Sequence, residues 1–449
     1  MAPPADRRYN NTQIIIWSWL VRYENSLIKL IFVAKIIIAF LVFLLFACQN
    51  SKRKGTWLTP SSFLLLIYTL SIFKAIIEIP LNGDVLVTQE KYWLPSIEMW
   101  VMLLAFLYPF QRFNESKVED ILVPGRQFLD VFSGVIIVLS LYSILWYIPT
   151  VMNLLRGDLG ALRNALYAGE EYVETGIFNT IASTSASLYV FSLLLFFFYL
   201  CIGGSKWRLI LLFISSMSEP IHVLSFVGRD GIVFWIFAVT FLFLVFKPYI
   251  QTKKIDKIKK YGILVGTVLL IPFVMISVGR FGDQEGGTFN AIVNYLGQPY
   301  VYGTLYFGID NPPVDVGHSF PLFYEFTGMK LPESTGKWEE GGTVSWVFGT
   351  FLKSWYESFG GWFGLILCCI ACAVIFFSVF CKVKKVLPMN KLFVYIVYFQ
   401  VFAQGVFYFR QYTRGGNLFI IICFLFAIAF KAIPNRIRIR KIQSTRVVS

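Results

Sequence analysis

The sequence predicts an all-α fold: a polytopic membrane helical bundle of about eleven spans with one large external loop segment. Three observations predict it. First, 57% of the 449 residues are hydrophobic and only 15% are charged, against about 25% charged in an average soluble domain. Second, apolar runs recur from end to end, close to the roughly 20 residues that a bilayer crossing needs. Third, basic residues gather in one alternate set of the connecting loops. A mean hydropathy of +0.65 agrees. Soluble, collagenous, disordered and disulfide-scaffold classes are excluded. Residues 1–449 read as a single transmembrane domain, with an external segment at 280–360 inside it.

In chain order, the apolar runs fall at 30–48, 58–78, 93–110, 128–151, 178–202, 209–227, 231–249, 262–279, 361–381, 392–409 and 417–433. Ile14–Leu20 is too short to span and reads as an interfacial or re-entrant piece, or as half of a broken span. The opening Met-Ala-Pro-Pro-Ala-Asp-Arg-Arg leads into no short apolar run with a small-residue cleavage site, so no removable signal peptide is expected.

Loop charge sets the orientation. One set of loops and the C-terminal tail hold 24 basic residues and four acids, Glu115, Glu119, Asp120 and Asp256. This face is expected in the cytoplasm, with the C-terminus. The net charge of +14 then reflects topology and attraction to anionic membrane lipid, not nucleic acid. The opposite face carries the two long segments Val151–Ile177 and Arg280–Gly360, which hold half of the acids and few bases. The expected location is a bacterial cytoplasmic (inner) membrane, crossed many times. Cys48, Cys201 and Cys381 fall at inner ends of spans, and Cys368, Cys369, Cys372 and Cys423 fall within them, so no disulfide staples the outer face.

Several motifs on the outer face could carry chemistry. Phe226-Val-Gly-Arg-Asp-Gly-Ile232 joins two apolar runs with almost no loop, which puts Arg229 at the outer surface. Gly228 and Gly231 permit a tight turn and a close approach of ligand to backbone. Val278-Gly-Arg-Phe-Gly282 sets Arg280 at a similar depth. An arginine fork grips phosphate oxygens with two prongs and keeps its charge at every working pH. Two such forks at the lipid boundary suit a lipid-linked diphosphate. The plainer alternatives are a snorkelling side chain for Arg229 and a salt bridge to Asp283 or Glu285 for Arg280.

Asn294–Gly303 and Trp346–Trp362 offer aromatic faces beside polar groups. Such surfaces suit sugars, and Tyr295, Tyr300 and Trp355 are the candidate sugar contacts; an interfacial aromatic belt is the plainer reading. His318, in Val316-Gly-His-Ser-Phe-Pro321, is the external histidine and could take a proton from an attacking hydroxyl. Glu219, in Glu219-Pro-Ile-His222, is ionisable inside a span, with Lys74 as a candidate partner. Glu357 opens the ninth span between glycines. No external acid pair or His/Asp cluster has ligand spacing, so neither a metal nor a cofactor is expected.

Tyr356-Glu-Ser-Phe-Gly-Gly-Trp-Phe-Gly364, after a series of spans and a late external loop, resembles the bacterial oligosaccharide repeat unit polymerases, the Wzy or O-antigen polymerase family. That family often shows Tyr-x-Asp-Phe-Gly-x-x-Gly there; this chain has Glu357 in the acid position and Ser358 inserted before Phe359. The turn around Arg229 resembles the family's Gly-x-Arg-Gly turn, with Asp230 as a departure, and Arg280 resembles its second arginine. The similarity covers most of residues 58–433 and rests more on layout than on invariant letters. It implies a membrane-integral, metal-independent glycosyltransferase of polysaccharide (lipopolysaccharide) biosynthesis. Donor and acceptor would both be oligosaccharides on undecaprenyl diphosphate, and a chain-length regulator would be a partner. Arg229 and Arg280 would hold the diphosphate. His318 is the first candidate base, followed by Glu357 and Glu219.

Three rivals remain. An O-antigen ligase does the same chemistry on a lipid A core acceptor, and Arg229, Arg280 and His318 follow the ligase order. A C-type sugar transferase usually has paired acids in its first outer loop, where Pro80–Tyr92 holds only Asp84 and Glu90, six apart. A flippase or transporter would favour internal repeats, and none is detected.

Overall fold

The computed structural model describes residues 11–82, 93–157, 176–281, 288, 296–300, 307, 316–328 and 349–442. Among them the chain is an all-α polytopic membrane protein carrying one small sheet. The helices are α1 (Asn11–Lys54), α2 (Pro60–Asn82), α3 (Trp93–Arg112), α4 (Arg126–Leu154), α5 (Ile177–Ala186), α6 (Tyr189–Ile202), α7 (Lys206–Ser215), α8 (Ser218–Leu224), α9 (Asp230–Phe246) and α10 (Thr252–Phe281). There follow α11 (Val316–Ser319), α12 (Pro321–Thr327), α13 (Thr350–Ser358), α14 (Trp362–Phe380), α15 (Met389–Gln404) and α16 (Arg414–Ala432).

Among the described residues, seven helices are long and apolar enough to cross a membrane, and an eighth crossing is available if α5 and α6, bent by 42°, form one span. Several of the eleven runs read from the sequence therefore differ in the structure. The 209–227 run breaks into α7 and α8 around Ser215, Ser216 and Ser218. There the Ser216 hydroxyl donates to the Phe213 carbonyl at 2.6 Å and accepts from Trp235 Nε1 at 3.1 Å. The 392–409 run yields a helix of only 16 residues. Ile14–Leu20 is neither re-entrant nor broken off, but lies within the continuous 44-residue α1.

Helix α4 shows why these segments suit lipid. Its buried face carries Ser133, Ser140, Ser143 and Tyr147, while Val131, Val138 and Leu145 on its outer face are about two-thirds exposed or more. The buried face also carries Leu129, Ile136, Ile144, Val151 and Leu154, so apolar residues line both faces, unlike a water-soluble amphipathic helix. Exposed apolar surface on this scale needs an apolar surrounding.

The sheet was not expected from the sequence. It joins β1 (Asp120–Pro124), β2 (Val386–Pro388) and β3 (Asn435–Arg440) in the order β2-β1-β3. β1 runs parallel to β2, with Asp120 opposite Val386, and antiparallel to β3, with Asp120 opposite Arg440. In β3, Ile437 and Ile439 alternate with Arg436, Arg438 and Arg440 at the period of a half-buried strand. The sheet gathers the ends of α3, α4, α14, α15 and α16. The connection after α9 joins them, because Tyr249 Oη donates to the Val118 carbonyl at 3.0 Å and the Ile442 amide to the Pro248 carbonyl at 2.9 Å. Three of the four acids on the basic face are held here: Glu115 by Lys54 at 2.5 Å, Glu119 by Lys385 at 2.9 Å and Asp120 by Arg438 at 3.3 Å. The other ends of α4, α9, α14, α15 and α16 lie a helix length away, about 25 Å for the 17 residues of α9.

Candidate functional site

At that second end, three turns converge. The first links α8 to α9. Val227 takes φ of +53°, and the Gly228 amide donates to the Val223 carbonyl at 3.0 Å. A Cβ at Gly228 or at Gly231 would come within 2.6 Å of the Val223 side chain. The glycines thus let α8 pack directly on α9. The close approach read from the sequence is made by the protein's own helix rather than by a ligand, and the left-handed position belongs to Val227, not to a glycine.

This packing aims Arg229 inward. It is buried, and its Nη1 donates to Ser277 Oγ on α10 at 2.6 Å, with the guanidinium 5.6 Å from the centre of the Phe273 ring. The outward arginine expected from the sequence is clamped between two helices. Arg280 lies in the last turn of α10, three residues beyond Ser277 and therefore on the same helix face. Its side chain lies outside the described residues.

The second turn follows α15. Arg410 opens a short 3-10 turn, Arg410–Tyr412. Arg410 Nη2 donates to Glu219 Oε1 at 2.9 Å, and its Nε lies 3.9 Å from Asp230 Oδ2. Tyr408 donates to the same Asp230 oxygen. Glu219 is paired with Arg410 instead of Lys74, because the α8–α9 packing turns it toward the end of α15. His222, one turn along α8, brings Nδ1 to 3.6 Å from Glu219 Oε2 and rests its ring against Tyr147 at 4.7 Å and Phe226 at 5.5 Å. Among the described residues, Glu219 Oε2, His222 Nδ1 and Arg410 Nε are buried without a hydrogen-bond partner.

A buried polar seam runs from this cluster into the bundle. Gln411 Nε2 donates to Gln404 Oε1 at 2.6 Å, Gln404 Nε2 to Tyr189 Oη at 3.0 Å, and Tyr189 Oη to Gln400 Oε1 at 3.0 Å.

The third turn precedes α13. The Thr350 amide donates to the Phe407 carbonyl at 3.0 Å and the Phe351 amide to the Gly405 carbonyl at 2.8 Å. Thr350 has φ of +63°. Val227 and Thr350 are the two non-glycine residues with positive φ among the described residues, and they flank the Tyr408–Asp230 bond. Backbone strain of this kind persists only where the surroundings over-determine it, commonly at functional sites.

α13 also brings in the His318 segment. Ser358 Oγ donates to Ser319 Oγ at 2.6 Å, and Asn417 Nδ2 to the Ser319 carbonyl at 3.0 Å. His318 therefore sits on α11, fixed against α13 and α16; its side chain lies outside the described residues. Glu357 is half-buried on α13, one turn from Lys353. Burial pushes the Lys353 ammonium down to about 8, and the charge of Glu357 pulls it back up.

The proposed sugar contacts fare differently. Tyr295 lies outside the described residues. Tyr300 and Trp355 are buried rather than presented. Trp355 packs among Phe351, Phe106 and Phe409 with ring centres 5.2–5.6 Å apart. Both rings fill the core between helices, so neither offers a free face to a sugar.

Sequence reasoning missed Arg410 and Tyr408. They stand in Val406-Phe-Tyr-Phe-Arg-Gln-Tyr-Thr-Arg-Gly415, a short connection on the face poor in bases, yet with two arginines. That local excess was the available signal. The chain matches no protein-family model, no curated protein and no solved structure.

Proposed function

We propose that the chain is a membrane-integral glycan polymerase. It transfers an oligosaccharide from undecaprenyl diphosphate onto another lipid-linked repeat unit at the outer face of the cytoplasmic membrane. In this reading the basic sheet end is cytoplasmic and the Arg229–Arg410 end is external. The observation that carries it is a pair of arginines on adjacent turns, Arg229 buried on Ser277 and Arg410 partly buried on Glu219, at the end away from the basic face. Arg280 lies one turn beyond Ser277.

An acceptor sugar hydroxyl attacks the anomeric carbon of the donor. The new carbon–oxygen bond forms as the bond to the diphosphate oxygen breaks, and the lipid diphosphate leaves with the electron pair. Guanidinium groups offset the charge that develops on it. The hydroxyl proton passes to a base. His318 remains a candidate, as does Glu219, and His222 joins them because its Nδ1 faces Glu219 Oε2 at 3.6 Å beside Arg410. Glu357 follows.

One observation favours a rival. The glutamine seam on α15 lies within the bundle, as a polar path in a transporter of lipid-linked oligosaccharide would. Purified protein supplied with lipid-linked repeat units separates the two. A polymerase lengthens the glycan, and a transporter moves it unchanged. Arg229→Ala and Arg280→Ala should each abolish or greatly slow lengthening while the protein still inserts, and Arg→Lys should recover only part. Wild-type rates in both Ala variants would reject the proposed diphosphate site.

A further inference from the structure

A second site lies at the sheet end, independent of the reading above. Between the end of α3, the end of α14 and the sheet is a cavity of about 1290 Å³. Seven basic side chains line it against two carboxylates, Glu119 and Asp120. Four of the bases have partners: Lys385 on Glu119, Arg438 on Asp120, Lys441 Nζ on the Ser116 carbonyl at 3.2 Å, and Arg112 over the Tyr108 ring at 5.6 Å. Lys117, Lys384 and Arg440 are exposed and, among the described residues, have no carboxylate partner. One wall is apolar, made by Pro109, Phe376, Phe377 and Phe380.

This wall and this rim differ in depth. α14 is one of the seven long apolar helices, and Phe376–Phe380 form its last turn. Lys382, Lys384 and Lys385 follow directly, so the apolar wall meets hydrocarbon and the basic rim meets headgroups. A second hollow lies along α3, linked to the first by the Arg112–Tyr108 contact. An apolar groove of about 620 Å³ runs between α1 and α3, lined by Val42, Leu45, Phe46, Val101, Leu104 and Tyr108 among others. Val101, Leu104, Ala105, Tyr108 and Arg112 share one α3 stripe at helical spacing. The groove therefore leads along α3 to the Tyr108–Arg112 contact, where the basic cavity begins.

We propose that the two together bind an anionic membrane phospholipid, with its phosphate headgroup among Lys117, Lys384, Arg440 and Arg112 and an acyl chain in the α1–α3 groove. A free phosphate would use the basic rim alone. The groove, opening at headgroup depth, is what commits the site to lipid. Basic pockets at the ends of spans suit such headgroups.

The test uses the full chain in detergent, titrated with short-chain phosphatidylglycerol, short-chain phosphatidylcholine and inorganic phosphate, with thermal unfolding and native mass spectrometry as readouts. Phosphatidylglycerol should raise the unfolding midpoint and stay bound; the other two should not. Lys117→Gln, Lys384→Gln and Arg440→Gln should each weaken binding by roughly fivefold, the effect of one base near an anionic surface. These side chains are exposed, so folding should be unaffected, and the lipid-free midpoint checks this. Ala105→Phe, which fills the groove without altering charge, should weaken phosphatidylglycerol binding as well. An equal response to inorganic phosphate or to phosphatidylcholine would overturn the proposal. So would unchanged affinity across the charge variants and Ala105→Phe.

Discussion

Glu115 and Glu219 are carboxylates of the same kind at opposite ends of one bundle, each in an ion pair screened from solvent. Glu115 Oε2 meets Lys54 Nζ at 2.5 Å, and its Oε1 accepts from Ser61 Oγ at 2.7 Å and the Ser61 amide at 3.2 Å. Around them, Asn50 Nδ2 donates to Gln111 Oε1 at 2.8 Å and Gln111 Nε2 to the Ser61 carbonyl at 2.9 Å. Both carboxylate oxygens are satisfied. Glu219 meets Arg410 at 2.9 Å through one oxygen, while its other oxygen, His222 Nδ1 and Arg410 Nε have no hydrogen bond among the described residues. Burying a polar group without a partner costs about 1–3 kcal/mol. The Glu115 end is thus built as a closed staple, whereas at the Glu219 end the second carboxylate oxygen faces His222 Nδ1 at 3.6 Å, a looser contact.

The largest expected effect breaks the open pair. Under the proposed polymerase reading, with Arg410 facing the developing charge, Arg410→Ala should lower polymerisation by about 10²–10³. It should also destabilise the protein by roughly 3–5 kcal/mol, because Glu219 is left charged and unpaired. The double variant Glu219→Gln/Arg410→Gln separates the two effects. Its thermal midpoint should recover most of the loss while polymerisation stays low. Wild-type polymerisation by the double variant would make this pair a staple like the other.

Glu115→Gln tests the closed pair. It leaves Lys54 buried without its counter-charge, so stability should fall by about 3–5 kcal/mol. Turnover per folded molecule should stay near wild type, with unfolding curves and active-fraction titration as the measurements. Loss of turnover in fully folded Glu115→Gln would remove the distinction between the two ends.

The two ends also differ in how legible they are. Membrane class follows from composition alone, since lipid-facing residues such as Leu145 and Val131 must be apolar wherever the helix packs. The span count does not, because serine breaks such as Ser215–Ser218 depend on a partner, Trp235, that is distant in sequence. The sheet was written in the alternation of Asn435–Arg440, but its charge drew the reading toward topology alone. At the other end the sequence pointed to Arg229 and Glu219 through their depth. It could not supply Arg410, because which arginine meets Glu219 is decided by packing of α8 against the end of α15. Tyr300 and Trp355 misled for a similar reason: an aromatic beside polar residues reads the same whether it faces a ligand or the core.

A pH experiment sharpens the contrast through Lys353, which lies on α13 outside the long apolar helices. Burial holds its ammonium down at about 8, below the ordinary lysine value. Between about pH 8 and 10.5 the unfolded chain keeps this proton and the folded chain loses it, so stability rises with pH across that window. The limiting slope is about 1.4 kcal/mol per unit. Lys353→Met, which has no charge to bury, should be more stable than wild type at pH 7–8, with the gap narrowing toward pH 10. Thermal midpoints in detergent across this range measure it. A gap that does not change with pH would mean that the ammonium is as well solvated folded as unfolded.

The smallest expected effect belongs to the sheet end, at a pair that looks similar on paper to those above. Arg438 Nε lies 3.3 Å from Asp120 Oδ2 across β1 and β3, with the arginine side chain about half exposed. Water and salt screen such a pair, and its two side chains lose freedom to hold it, so exposed pairs contribute about 0–1 kcal/mol. Asp120→Asn keeps the size of the side chain and removes the charge. Stability should drop by less than about 1 kcal/mol, and the drop should shrink as salt is raised. The strand register should survive, because backbone pairing and the buried Ile439 hold β3 in place. Urea or thermal unfolding at low and high salt measures both quantities. A loss as large as that of Glu115→Gln, insensitive to salt, would mean that Asp120 works as a buried anchor and that the sheet is a second closed staple.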